Sequence, residues 1–252
     1  MNTVANSGMN SVMNVMRREL SGYFSTPVAW VFIVIFLAMA GVFTFYIGSF
    51  YERGIADLAP FFQFHPWLYL FLVPAIAMRL WSEERRSGTI ELLLTLPITT
   101  GQAVLGKFLA AWLFIGLALL LTFPVWLTVN YLGTPDNGII LAGYIGSWLM
   151  AGGFLAIGSC MSAITRNQVI AFILSIVVCF GFMLSGLPMV MNLFSGWAPQ
   201  ALLDAIADFS FLAHFAAVSK GVIDLRDLVF FGLVTTFWLA VNTIVLELKK
   251  AD

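Results

Sequence analysis

"SEERRSGTIELLLTLPITTGQAVLGKF", residues 82–108, is the most polar run in an otherwise apolar chain. Gly101 to Lys107 completes a G-x-x-x-x-G-K string, the opening of a phosphate-binding loop. A working loop of that kind follows a strand, continues with Ser or Thr for the metal, and opens a soluble helix. Here Phe108 follows the Lys, and a Pro-broken turn precedes the string. The run reads better as a connection between two apolar helices. Thr99 and Gln102 have the spacing of a capping box for the second of them. Gly106 suits close helix packing, and Lys107 is placed to snorkel to lipid head groups.

Composition agrees. Hydrophobic residues make up 61% of the 252 and charged residues 10%, whereas soluble domains average about 25% charged. The mean hydropathy is +0.96. A net charge of −1 with no long basic stripe gives no footprint for nucleic acid. Cys160 and Cys179 both fall inside apolar runs and read as small buried residues.

A helix needs about 20 apolar residues to cross the hydrocarbon core. Six stretches approach this: Val28–Phe50, Phe61–Met78, Lys107–Tyr131, Gly138–Ala163, Val169–Met191 and Leu228–Leu246. The expected fold is therefore an all-α integral membrane protein, a single domain over residues 1–252. With both termini inside, the inner segments hold nine Lys and Arg and the outer loops three. The positive-inside rule then puts both termini in the cytoplasm.

Two further segments flank the spans. Residues 10–26 place Val12, Val15, Met16, Leu20, Tyr23 and Phe24 on one helical face, with Arg17 and Arg18 elsewhere on the wheel. That pattern predicts an amphipathic interfacial helix anchored by Arg17, Arg18 and, from the third span, Lys107. Thr26-Pro27 is expected to cap and restart the chain as the first span. Residues 192–227 hold helix-like sequence too polar to span easily. They read as re-entrant or interfacial outer helices, or as an ordinary outer loop helix. Gly152, Ala156, Cys160, with Gly158 and Ser162, are small residues at four-residue spacing. They serve packing within the bundle or a dimer seam.

The spans carry no charge at depth, so ion-coupled transport lacks its usual carboxylate, His or Lys. His65, beside an aromatic outer mouth, reads as an interface residue, and His214 lies in the outer loop. No protease or hydrolase constellation is present. No catalytic, cofactor or metal site is expected on this chain. If it moves something uphill, the energy arrives from another chain.

The knot itself, residues 82–97, reads as a short turn capped by Ser82 and broken at Gly88, then a helix from Thr89 stopped by Pro97. Ile90, Leu93 and Leu94 share one face. Glu83, Glu84, Arg85, Arg86 and Glu91 ring it. This small apolar peg either fits a partner groove or lies on head groups.

The residues Glu83, Glu84, Gly88-Thr89, Glu91, Leu96-Pro97 and Gly106-Lys107, between the second and third spans, resemble the coupling-helix segment of type-2 ABC exporter permeases. The strings "RLWSEERRSGTIELLLTLPI" and "GVIDLRDLVFF" are similar to the gliding-motility-type branch. The resemblance implies a permease of the bacterial inner membrane, working as a homodimer on two ABC ATPase subunits that bind ATP and Mg. It also implies a membrane-anchored auxiliary protein with an outer domain. Glu83, Glu84, Arg85, Gly88, Thr89, Ile90, Glu91, Leu93, Leu94 and Pro97 become the expected ATPase-coupling residues. Two functions follow as expectations: ATP-driven export, or mechanotransmission to outer partners with no substrate crossing.

Overall fold

The computed structural model describes residues 2–90, 98–194, 199–222 and 224–249. All regular elements among them are helices. They are α1 (Asn2–Phe24), α2 (Pro27–Gly41, continued by a π-helical turn, Val42–Ile47), α3 (Ala59–Gln63) and α4 (His65–Ala77). Next come α5 (Arg79–Ser87), α6 (Thr100–Leu120), α7 (Phe123–Leu132) and α8 (Asn137–Ile164). The chain ends with α9 (Gln168–Leu184), α10 (Pro188–Phe194), α11 (Gln200–Ala207), α12 (Phe211–Val218) and α13 (Leu225–Leu248).

Among the described residues, four helical stretches are long and apolar enough to cross a membrane: Pro27–Ile47, Thr100–Leu132, Asn137–Ile164 and Leu225–Leu248. α11 and α12, bent by 59°, count together as a fifth candidate, a broken span or a re-entrant loop. The protein is a multi-pass membrane protein. The expected spans at Phe61–Met78 and Val169–Met191 are shorter in the structure. α9 has 17 residues. The former is split at Phe64 into five- and thirteen-residue helices. Pro66 sits at the start of α4, where its missing N–H costs nothing, and Pro74 lies inside it.

α8 is the axis of the bundle. Twenty of its 28 residues are buried, against five of 24 in α13. Helices α4, α5, α6, α9, α12 and α13 all pack on it. Its small residues make this possible. A Cβ on Gly158 would lie 2.5 Å from the Ala77 methyl group, so α4 can approach only because Gly158 has none. Gly152, Ala156, Cys160 and Ser162 are likewise buried within the bundle, the first of the two expected uses. Trp112 and Trp148 lock α6 to α8: each indole N–H donates to the other's carbonyl (2.9 and 3.2 Å), with rings stacked at 4.1 Å.

Polar groups within residues 192–227 have partners among α11, α12 and the start of α13. The His214 ring lies 2.6 Å through Nδ1 from a carboxylate oxygen of Asp227, at the start of α13. Its Nε2 lies 2.9 Å from the Asp208 carbonyl, and Phe230 stacks on the ring at 3.9 Å. Asp208 also pairs with Arg226 at 2.5 Å. These polar groups fasten α12 to α13 and are not simply solvated.

Two local expectations change. Thr26 makes no cap; its hydroxyl donates to the Tyr23 carbonyl at 3.0 Å, while Pro27 does open α2. His65 is fully buried, packed by Phe36, Phe61, Phe62 and Tyr69, with Nδ1 2.8 Å from the Phe61 carbonyl. It is a core residue, because α8 and α2 close over the mouth that looks open in sequence.

Candidate functional site

The polar segment begins in α5, which follows α4 after a break at Met78. Ser82 is not a cap. It lies inside α5, and its hydroxyl donates back to the Met78 carbonyl. The cap comes from α8 instead. Ser162 Oγ accepts from the backbone N–H groups of Trp81 (3.1 Å) and Ser82 (3.0 Å) and donates to the Met78 carbonyl at 2.8 Å. A hydroxyl thus stands in the opened helical ladder and satisfies the groups the break leaves orphaned. Beside it, Ser159 Oγ accepts from the Trp81 indole (3.1 Å) and from the Asn242 amide of α13 (2.8 Å). Trp81, Ser82, Ser159, Ser162 and Asn242 are all buried.

The far end of α5 is fixed as well. Arg85 donates to the Ala163 carbonyl at 2.5 Å, and Lys249 donates to the Ile164 carbonyl. Both cations therefore sit at the carbonyl end of α8, where the helix dipole favours them. Burial lowers the Arg85 pKa, and the neighbouring Arg166 adds to this. Gly88 ends α5 in the left-handed region, φ 74°, which a side chain rarely adopts. Thr89 follows, its hydroxyl 2.9 Å from that of Ser87.

On the other side of α5 lies the largest departure from expectation. Lys107 does not reach head groups. Its side chain is 3% exposed and lies between Glu84 (2.7 Å) and Glu19 of α1 (3.1 Å), with the ammonium 5.3 Å from the Trp81 ring centre. The cause is α1, which packs its apolar face on α6 rather than leaving it to lipid. Val15 fits against Gly106 where a Cβ would lie 2.7 Å from a Val15 methyl. Gly106 thus gives the close packing expected of it. The capping box also forms: Gln102 N–H donates to Thr99 Oγ1 (3.2 Å) and Thr99 N–H to Gln102 Oε1 (3.0 Å). Gly101 to Lys107 is therefore ordinary helix, with no row of free amides to cradle a phosphate.

The Glu19 carboxyl is held below its usual pKa. Burial pushes it upward, but the Lys107 ammonium and Arg18 guanidinium outweigh that. Its contribution to stability is present above the unfolded carboxylate range and is lost as pH falls through the lower folded value. Arg17 and Arg18 are exposed on α1, away from the packed face.

Of the expected coupling residues, the structure brings Glu83, Glu84, Arg85, Gly88, Thr89 and Ile90 together at one end of the bundle. Glu83 pairs with Arg79 at 2.9 Å. Glu84 faces inward on Lys107, not outward on a rim, and Ile90 is half-buried against the core instead of standing free. Glu91, Leu93, Leu94 and Pro97 lie outside the described residues.

Sequence reasoning missed Glu19, Ser159, Ser162 and Asn242. Asn242 had a signal, being a lone amide in the last apolar run. Among the described residues no cluster of three or more His, Cys, Asp or Glu could hold a metal. Cys160 and Cys179 are free and buried.

The arrangement can do one thing mechanically. α5 is pinned to α8, and through Ser159 to α13, along one side, and to α6, and through Lys107 to α1, along the other. A displacement applied just beyond Gly88 therefore reaches four other helices at once.

Comparison with known proteins places the chain. A stretch of 120 residues, 46% of this chain, is 32% identical to the probable ABC transporter permease protein NosY of Stutzerimonas stutzeri. The match spans 44% of that protein's length. A family model described as ABC-2 family transporter protein matches residues 13–245, from within α1 almost to the end of α13. The helical bundle built on α8 is thus covered nearly throughout, and the chain belongs to the ABC-2 family of transporter proteins.

Proposed function

We propose that this chain is the permease subunit of an ATP-driven ABC transporter and that the segment from Glu83 to Pro97 docks on a separate ATPase. The observation that carries this is the anchoring of α5. A helix whose two sides are tied to four others, and which ends at Gly88 before a short apolar segment, is built to receive force from outside the bundle. The family membership and the NosY likeness support the same reading.

In this reading the chain crosses the bacterial inner membrane six times, the two short stretches completing the count. Both termini and the 82–97 segment are cytoplasmic, as the Lys/Arg bias requires. A second copy forms the homodimer, two ATPase subunits bind ATP and Mg, and the substrate is exported. A membrane-anchored auxiliary protein contacts the outer helices.

The apolar face carries the docking energy. Two or three aliphatic side chains buried in a partner groove contribute about 1.5–3 kcal/mol each. Rim charges contribute about 0–1 kcal/mol and mainly set orientation. Leu93→Asp puts an unpaired charge into that groove. It is expected to remove the ATPase from the detergent-solubilised complex, while Glu83→Lys lowers its yield by no more than about fivefold. Wild-type co-purification and turnover for Leu93→Asp would show that the segment is not the dock.

A further inference from the structure

A cleft of about 440 Å³ opens between α1, α2, α4 and α5, within the roughly 300–1,000 Å³ of ligand pockets. Its two ends differ in chemistry. The trunk is apolar, formed by Val31, Phe32 and Ile35 of α2 against Leu72, Ala75 and Ile76 of α4. The mouth carries Glu19, Arg79, Glu83, Glu84 and Lys107. Val31 and Ile35 are 55% and 44% exposed, so the trunk opens sideways, toward lipid in a membrane-spanning chain.

The mouth is incompletely satisfied. Glu84, its side chain 20% exposed, gives one carboxylate oxygen to Lys107, and the other, Oε2, is buried with no hydrogen-bond partner among the described residues. A buried carboxylate oxygen calls for a donor. Arg79 spends its Nε on Glu83, and its two terminal nitrogens make no hydrogen bond among the described residues. Three carboxylates face two cations, so an anionic head group meets a net negative mouth.

We propose that this cleft holds one bilayer phospholipid with a primary-amine head group, its ammonium on Glu84, its phosphate at Arg79 and one acyl chain in the Phe32–Ile35–Ala75 trunk. Charge complementarity selects this occupant. A glycerol head group brings only negative charge to an acidic mouth. A choline head group is cationic but has no N–H to donate to Oε2. The site lies where polar and apolar surfaces meet, as a head group and its chain do in a bilayer. The proposal rests on the membrane placement of the chain and not on the ATPase dock. Lipid retention is read on the chain alone, so the two readings fail separately.

The test exchanges the full purified chain, in mild detergent, against phosphatidylethanolamine, phosphatidylcholine and phosphatidylglycerol with identical acyl chains at equal concentration. Native mass spectrometry then reads the retained lipid. One phosphatidylethanolamine is expected, about fivefold or more over either competitor, the size of a charge-assisted hydrogen bond at a partly exposed site. Glu84→Gln brings the ratio to within about twofold of unity. Ala75→Phe fills the trunk without touching the mouth and abolishes retention of all three lipids. Equal retention of the three by the unaltered chain overturns the proposal, as does a preference that survives both substitutions. A lipid-free chain whose cleft is sealed by a second copy, seen as a dimer at the same concentration, overturns it too.

Discussion

Lys107→Met is expected to cost about 3 kcal/mol of stability and to release α1 from the bundle. Removing one member of a buried ionic cluster leaves the others charged and unpaired, at roughly 3–5 kcal/mol when burial is complete. Glu19 and Glu84 remain 21% and 20% exposed, so the lower end applies. Hydrogen exchange locates the effect. Amides from Val12 to Leu20 should lose protection before those of α8 do, because Glu19 ties α1 to the bundle through this ammonium. The triple variant Lys107→Met, Glu19→Gln, Glu84→Gln should recover all but about 1 kcal/mol, since replacing a whole buried ionic set is often near neutral. A Lys107→Met protein with wild-type stability and α1 protection would show that the ammonium reaches water or head groups after all.

Ser162→Ala is the second large effect, at about 2–4 kcal/mol. The substitution strands the N–H groups of Trp81 and Ser82 in the buried interior and takes one donor from the Met78 carbonyl. Each buried group left unsatisfied costs about 1–3 kcal/mol. The Met78 carbonyl keeps its bond from Ser82, which tempers the sum. Ser159→Ala should cost less, about 1–2 kcal/mol, because it strands only side-chain donors of Trp81 and Asn242 that can turn. Thermal melts of the three proteins in one detergent decide the order. If Ser159→Ala is the more damaging, the break at Met78 is not held by Ser162.

Which of these features the sequence announced depends on their range. The Thr99–Gln102 box and the Gly88 stop are local chemistry over a few residues, and both are present as read. The apolar runs of α2, α6, α8 and α13 are long enough to be unmistakable. Phe61–Met78 shows where hydropathy misleads. Its composition is right for a span, but Pro66 opens a new helix and the stretch breaks at Phe64. Lys107 shows the limit more sharply. A Lys at the edge of an apolar run snorkels only if nothing covers it. That Glu19 would cover it follows from α1 crossing α6 where Val15 meets Gly106, two residues far apart in the chain. Ser162 is the same kind of case: its hydroxyl is explained by a helix far away in sequence.

The account rests on the segment after Gly88 being where force enters. A photo-activatable amino acid at position 93, flashed in intact membranes that contain the full complex, tests this without disturbing the fold. The control is the same probe at Tyr131, which is 91% exposed at the end of α7. The account predicts a cross-link from position 93 to the ATPase subunit and none from position 131. Cross-links from position 93 to lipid alone, with the ATPase captured elsewhere or not at all, would contradict it.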